Sequence, residues 1–554
     1  PVFAGTATNS SVYTTLSTAL ADGTVNVSFS STAQSQPVAR SYSDTGPSSF
    51  TSWGVTESMN LKPDVMSPGG NIWSAGASSD TALSSKSGTS MASPNAEGLF
   101  ILAQQYVDDN LDTFGVKVGT QEYSNLVNQL VASTAVAYQP FVSSSDLTRQ
   151  NLYFSPRRQG AGMVNIDNVI NSLVVLHNEV PYNAVTGEAP RAKVELGDKL
   201  GTNFDIKFTM DNYDSVAKTF DVLACLQTDN TTEANGRTNL AGVNTYGSDI
   251  DAIEDGVMKV TAVSGGTVVS ASDNINRYSD NASATQISVP ANSSVEITVN
   301  VTLNEETMNA YDAKYPNGMF LEGFVFFDNV DSDYETLSIP YMGFRGDWNA
   351  APIFDLATAY DDISGLATSD ANYPLFYTTT LNSLVDGYDV VLGANQFTGA
   401  SLPDYFGGSS TSYYNTIRNY LNNLRNGGEL NGAYATISPN GDGKDDIAYA
   451  ALYLLRNAKA LCVVIKDEAG NVVNVIGPEY EYFEAKVNDG NLTQQAALSY
   501  GTKYNRQMYW DGTDLDGNMV KEGTYTFEVR AMLEYEYLNS VDYGNDDSCL
   551  DALM

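Results

Sequence analysis

Apolar residues in the first third of the chain fall at helical spacing. Met91, Ala92, Ala96, Leu99, Phe100 and Ala103 recur one, three and four apart, which predicts a helix running to about Val107. Pro94 sits near its start, where a missing backbone donor costs little. The preceding stretch, NLKPDVMSPGGNIWSA, reads as a short extended run at Asp64–Met66, a stop at Pro68-Gly69-Gly70, and a second run over Asn71–Ala75. From about Glu179 the period changes to two. Asn203–Met210 alternates, with Phe204, Ile206 and Phe208 on one face, and Thr219–Leu226, Ser294–Leu303 and Phe320–Phe327 read as further strands. Strands at such spacing predict a β-sandwich. Farther on, Tyr414, Ile417, Tyr420, Leu421 and Leu424 share one face of a covering helix.

Charge and cysteine content narrow the classes. With 66 acidic and 28 basic residues, the net charge of −38 argues against nucleic-acid or anionic-membrane partners. No apolar run is long enough to insert in a membrane. The three cysteines, Cys225, Cys462 and Cys549, are too far apart in sequence to read as a disulfide framework or a metal site. Cys225 and Cys462 sit in apolar runs and read as small buried hydrophobes. Ser, Thr, Asn, Gly and Tyr are abundant and Lys is scarce, as in a secreted bacterial surface protein. The length suits three or four domains.

Candidate chemistry centres on Ser90, in KSGTSMASPNAEG. At the first turn of a helix, free N–H groups and the positive end of the dipole favour a developing oxyanion. The plain alternative is that Thr89 and Ser90 cap the helix. GTSMASP at Gly88–Pro94 resembles the nucleophile segment of the subtilisin-like (subtilase) serine peptidases. Its neighbours agree in order: SFTSWG at Ser49–Gly54 resembles the preceding strand, and LKPDVMSPGGNIWSA at Leu61–Ala75 the segment that follows. Ser67 replaces the usual Ala and Asn95 the usual His, which is not the triad member. Tyr123–Ala135 and Arg157–Asn165 are similar to the next helix and closing turn of the larger cell-envelope members, of the lactocepin and C5a-peptidase type. The resemblance implies Ser90 as nucleophile, with its backbone N–H as an oxyanion donor.

The rest of the triad is not recognisable. In subtilases the order is Asp, His, Ser, yet the single histidine, His177, follows Ser90 in an apolar segment and reads as a packing or surface residue. Asp44-Thr45-Gly46 spells the family's Asp tripeptide, but its polar flanks and closeness to Ser90 make it a chance match. Neither Asn9 nor Asn26 has the setting of the family's oxyanion Asn. Residues 1–32, with an Asp-Gly turn between short elements, resemble the tail of the protease-associated insert of the large members. The chain therefore reads as a C-terminal fragment, with Asp, His and most of the cleft on a separate N-terminal protease segment.

The β-rich part carries its own resemblances. YPNGMFLEG at Tyr315–Gly323 and LSIPYMGFRGDWNAAPIFD at Leu337–Asp355 are similar to the first fibronectin-like domain of the same peptidases. Tyr341, Phe344 and Trp348 are expected to pack between domains. ISPNGDGKDDI at Ile437–Ile447, with Trp510–Tyr525, resembles the immunoglobulin-like domain related to FlgD. Asn440, Asp442, Asp445 and Asp446 place four oxygen-bearing side chains within seven residues, a set suited to a structural Ca²⁺; an acidic turn is the alternative. Asp511, Asp514 and Asp516 read better as hairpin turns than as ligands.

The expected organisation is an insert tail (1–32), the Ser-containing half of an α/β subtilase domain (33–178), a fibronectin type III-like domain (179–346), a second, FlgD-like sandwich (347–534) and an acidic tail (535–554). The expected function is an extracellular, cell-surface serine endopeptidase acting on protein or peptide substrates. It needs no cofactor for catalysis. A surface-binding or spacer protein on an inactive protease remnant is the alternative.

Overall fold

The helical pattern becomes α1 (Thr89–Asp109), which follows a hairpin of β1 (Ile72–Ala75) and β2 (Leu83–Lys86). A short α2 (Leu111–Phe114) ends at Gly115, whose φ of 65° lies in the left-handed region that glycine adopts freely. Then comes α3 (Gln121–Ser133), whose first turn is capped by Thr120 accepting from Tyr123 N–H. One face of α1, through Ala103 and Val107, packs on Leu126, Val127, Leu130 and Val131 of α3. The other face stays open, with Ile101 and Leu102 retaining 56% and 47% exposure. This computed structural model describes residues 46–139, 152–183, 188–234, 237–240, 250–331, 336–350, 353, 383–385, 436–451, 456, 458–479, 509–540 and 546–554. All belong to one compact unit. Residues 1–32, Asp44 and the amphipathic stretch around Tyr414–Leu424 lie outside the described residues.

The strand expected at Ser49–Gly54 does not form. Thr51 N–H closes a turn on Ser48 O, and Gly54 N–H is taken by the Arg157 carbonyl rather than by a neighbouring strand. Asp64–Met66 is extended as expected, with Met66 bridging Met163. Arg157–Asn165 forms α4 (Pro156–Gln159), a glycine turn, and the entry to α5 (Ile166–Ile170).

The period-two segments build a two-sheet sandwich. β3 (Val174–His177), β5 (Asn203–Asn212), β13 (Ser293–Thr302) and β10 (Val257–Ser264) make one antiparallel sheet. The other holds β11 (Thr267–Ser270), β12 (Thr285–Val289), β6 (Lys218–Asp229), β14 (Met319–Asn329), β15 (Thr336–Arg345) and β4 (Val194–Glu195), in that order, with β9 (Ile250–Ala252) beside β6. β7 (Thr231–Ala234) and β8 (Arg237–Leu240) form a separate hairpin. Ile206, Phe208 and Met210 of β5 face Phe220, Val222, Val325 and Phe327 across the core.

β14 reads as an almost unbroken apolar run because both its faces are covered. Met319, Leu321, Val325 and Phe327 enter the sandwich core, while Phe324 and Phe326 pack against Tyr153 in the irregular stretch just before α4. Leu61 and Met59 likewise pack on Met342 and Phe344 of β15. Of the three aromatics expected between domains, Phe344 and Trp348 are there: they pack edge-to-face on each other and on Phe320, and Trp348 Nε1–H donates to Glu57 O. Tyr341 is different. It lies in the sandwich core with its hydroxyl on the Cys225 carbonyl, because its strand position points inward.

Beyond the sandwich, β16 (Ser383–Val385), β17 (Ala448–Ala451) and β20 (Tyr509–Trp510) form one small sheet, and β19 (Val472–Glu479), β18 (Ala460–Lys466) and β21 (Thr526–Met532) another. β18 is buried on both faces. Leu461, Val463 and Ile465 meet Trp510, whereas Ala460, Cys462 and Val464 meet Met532, Tyr537, Cys549 and Leu553. Met532 ends β21, whereas Tyr537, Cys549 and Leu553 come from α6 (Glu534–Ser540) and α7 (Asp546–Leu553), so the described part of the acidic end is helical. Cys549 and Leu553, four apart, turn inward together.

Candidate functional site

Ser90 occupies the second position of α1 and is exposed. The helix starts at Gly88, which has no side-chain capping bond, so neither Thr89 nor Ser90 serves as the cap. Met91 and Ala92 N–H groups both bond to Gly88 O, leaving those of Thr89 and Ser90 as the open donors of the first turn among the described residues. Pro94, four residues on, has no N–H to give to the Ser90 carbonyl. Among the described residues the Ser90 hydroxyl has no hydrogen-bond partner.

The approach to this turn is held from below. Gly88 N–H donates to Gly69 O at 2.9 Å, and Asn71 N–H to Ser87 Oγ at 2.8 Å. A Cβ on Gly69 would lie 2.8 Å from Gly88 O and 3.0 Å from Ala92 Cβ, so only glycine allows this approach. Upstream, Met66 N–H bonds Gly162 O and Ala161 N–H bonds Asp64 O. The stretch leading to Ser90 is thereby stitched to the turn after α4.

That turn is anchored in the sandwich by an ion cluster that sequence reading missed. The Arg157 guanidinium, 7% exposed, bonds Glu322 Oε2 at 2.8 Å and Asp229 Oδ1 at 2.6 Å. It also lies over the rings of Phe320, at 4.0 Å, and Trp53, at 5.6 Å. Burial pushes the Glu322 pKa up; Arg157 pulls against this and the Asp229 charge adds to it, leaving the carboxyl above its ordinary value. The signal available in sequence was one ionisable residue inside FLEGFVFF, where a lone buried charge requires a partner.

His177 is committed elsewhere. Its Nε2 lies 3.1 Å from Asp211 Oδ2 and its Nδ1 2.7 Å from Asn178 O. Ser294 Oγ–H donates to the same Asp211 carboxylate, not to the imidazole, so this trio lacks the serine–base bond that nucleophilic catalysis requires. Burial pulls the His177 pKa down, but bonds to Asp211 and Asn178 outweigh it and hold it above the ordinary value.

The Asn440–Asp446 loop is largely satisfied by itself. Asp446 accepts from the N–H groups of Asn440, Gly441 and Gly443, Asn440 Oδ1 from Asp442 N–H, and Asp442 Oδ1 from Lys444 N–H. Asp445 takes a left-handed φ of 55°. Among the described residues no group of three or more His, Cys, Asp and Glu converges as metal ligands. Asp514 closes a hairpin turn, accepting from Asp516 and Asn518 N–H. No described helix is long and apolar enough to cross a membrane.

The subtilase family model matches residues 2–162, including the stretch read above as an insert tail, and an Fn3-like domain model matches residues 194–342. The chain is 28% identical over 533 residues to a C5a peptidase of Streptococcus pyogenes serotype M1, covering 91% of this chain and 38% of that protein. It is 27% identical over 500 residues to the PI-type proteinase of Lactococcus lactis subsp. cremoris, covering 89% of this chain and 22% of the relative. Residues 2–162 are thus a subtilase-family segment, and an Fn3-like domain follows it over residues 194–342, ahead of a predominantly β C-terminal region.

Proposed function

We propose that the chain is the nucleophile-bearing part of an extracellular, cell-surface serine endopeptidase of the cell-envelope subtilase type, acting on protein or peptide substrates. One observation carries this reading: within the subtilase segment, the Ser90 hydroxyl stands exposed and, among the described residues, unpartnered on a first helical turn where the Thr89 and Ser90 N–H groups are open. Ser90 Oγ would attack a peptide carbonyl while its proton passes to the base, with the Ser90 N–H donating to the oxyanion. The C–N bond then breaks as that base protonates the departing amine, and water hydrolyses the acyl-enzyme to a carboxylate and free Ser90. The proton acceptor and its orienting carboxylate come from polypeptide outside this sequence, since the one histidine is bound to Asp211 in the sandwich. The chain alone is accordingly almost inert.

A fluorophosphonate probe tests this. Ser90 should be labelled when the upstream protease segment is supplied, and Ser90→Ala should abolish labelling. No labelling of the complete protein would favour the second reading, a binding or spacer protein on a protease remnant, which the extent of β structure beyond residue 178 supports.

Two finer assignments belong with this proposal. The two covered faces of β18 support a second sandwich of FlgD-like type in the 347–534 region. At the Asn440–Asp446 loop, the three amides on Asp446 support an acidic turn, while the set Asn440, Asp442, Asp445 and Asp446 supports Ca²⁺. Thermal unfolding with and without Ca²⁺ decides: a rise in Tm lost in Asp442→Asn establishes the ion, and no rise leaves the turn.

A further inference from the structure

Three observations converge on Arg157. Its side chain is locked into the Fn3-like domain by Glu322 on β14 and Asp229 on β6, and Glu322 is fully buried. Its main chain belongs to the subtilase segment, where the Arg157 carbonyl accepts from Gly54 N–H at 2.7 Å. The turn that follows is zipped to the strand leading to the nucleophile. Gly160 lies so close that a Cβ would sit 2.3 Å from Asp64 O; Ala161 N–H bonds Asp64 O, Met66 N–H bonds Gly162 O, and Val164 N–H bonds Met66 O. Three residues beyond Met66, Gly69 O receives Gly88 N–H, two residues before Ser90. Beyond the Arg157 ion cluster the links between segments are short backbone hydrogen bonds and close backbone approaches, which transmit displacement rather than absorb it.

We propose that Arg157, gripped by Glu322 and Asp229, is a positioning residue through which the Fn3-like domain sets the placement of Ser90. The inference rests on Ser90 being the nucleophile. Removing the grip leaves the guanidinium with one carboxylate in place of two, lets α4 shift, and carries the Asp64–Gly69 stretch and the start of α1 with it. A sub-ångström shift of a nucleophile affects turnover far more than substrate binding.

The test uses the complete protease, this chain with its upstream segment, as Glu322→Gln, Asp229→Asn and Arg157→Lys, the last keeping the charge but losing the two-pronged grip. Peptide hydrolysis, fluorophosphonate labelling of Ser90 and amide exchange are read on the folded fraction of each. In Glu322→Gln, kcat and labelling should fall at least tenfold with KM within twofold; Arg157→Lys, which keeps a cation between the two carboxylates, and Asp229→Asn should each lose less. Exchange at Gly54, Met66 and Gly88 should quicken at least tenfold, while β5 and β13 amides stay as in the parent. Unchanged exchange at Gly88 in a folded Glu322→Gln overturns the coupling, whatever the activity. A parent protein that is never labelled overturns the nucleophile reading instead, and the exchange result still judges the mechanical link.

Discussion

Gly69→Ala probes the support beneath the nucleophile turn. The added methyl would stand 2.8 Å from Gly88 O and 3.0 Å from Ala92 Cβ. Carbon–carbon contacts are most favourable at about 3.5 Å or beyond, so the start of α1 has to retreat by roughly half an ångström. Neither neighbour can swing away, since one is backbone and the other a methyl on the helix. Overpacking of this kind costs about 1–3 kcal/mol. The retreat also stretches the 2.9 Å bond from Gly88 N–H to Gly69 O, and losing such a bond costs about 1 kcal/mol. Summing the two, the chain should lose about 2–4 kcal/mol in urea unfolding followed by circular dichroism. In the complete protease, labelling of Ser90 should drop about tenfold or more, since positional errors near 1 Å cost about a hundredfold. Gly98→Ala is the matched control on the same helix: a Cβ there meets nothing within 4 Å, and Ala for Gly inside a helix should stabilise this chain by about 0.5–1 kcal/mol. A Gly69→Ala chain with parental urea midpoint and labelling rate would refute the claim that glycine is required at this approach.

Other expectations are as direct. Phe327, fully buried between the sheets and edge-on to Phe208 and Phe220, should cost about 3–5 kcal/mol when cut to Ala, read from the urea midpoint. The His177–Asp211 pair gives a pH signature. The His177 pKa is raised, so its contribution is complete below the unfolded value of about 6.5 and fades as pH rises through the folded value. On Asp211, burial pushes upward but bonds from His177 and Ser294 hold the carboxyl low, so its contribution is present above about 3.9 and fades as pH falls through its folded value. Tm against pH should flatten on both limbs in His177→Gln, with Glu179 and Tyr213 the other ionisable neighbours. Burial pushes the Cys462 thiol up to about 11. Deleting residues 546–554, which removes Cys549 and Leu553 from its cover, should make Cys462 react with a disulfide reagent at neutral pH, while the intact chain resists.

Much of the fold could be read from one-dimensional pattern. The strands at Asn203–Asn212 and Ser293–Thr302 keep the alternation seen in sequence because each has a single core face. The start of α1 was legible for another reason: Gly88 stands just ahead of a helix-period run and Pro94 near the beginning of it, which also put Ser90 on the first turn. Where sequence reading failed, the cause was long-range. Ser49–Gly54 resembles a strand, but its Thr51 amide closes a local turn and its Gly54 amide goes to Arg157, about a hundred residues away. Glu322 within FLEGFVFF signals a buried charge in need of a partner, but only the docking of a distant segment on the outer face of β14 identifies that partner as Arg157. Tyr341 was misplaced because its inward direction depends on strand register. The helices at the acidic end were too short for their two inward residues to show a period.

The open side of α1 has a practical outcome for anyone handling this polypeptide. Ile101 and Leu102 lie bare on the helix, and Trp73 and Leu83 share one bare face of the hairpin before it. Greasy areas of that kind bring molecules together in solution, and here the mutual repulsion of an excess of carboxylates opposes it. Colloidal behaviour should therefore turn on ionic conditions: clear, dispersed solutions at low salt and neutral pH, and clumping with uptake of apolar dyes once salt screens the charge or acid removes it.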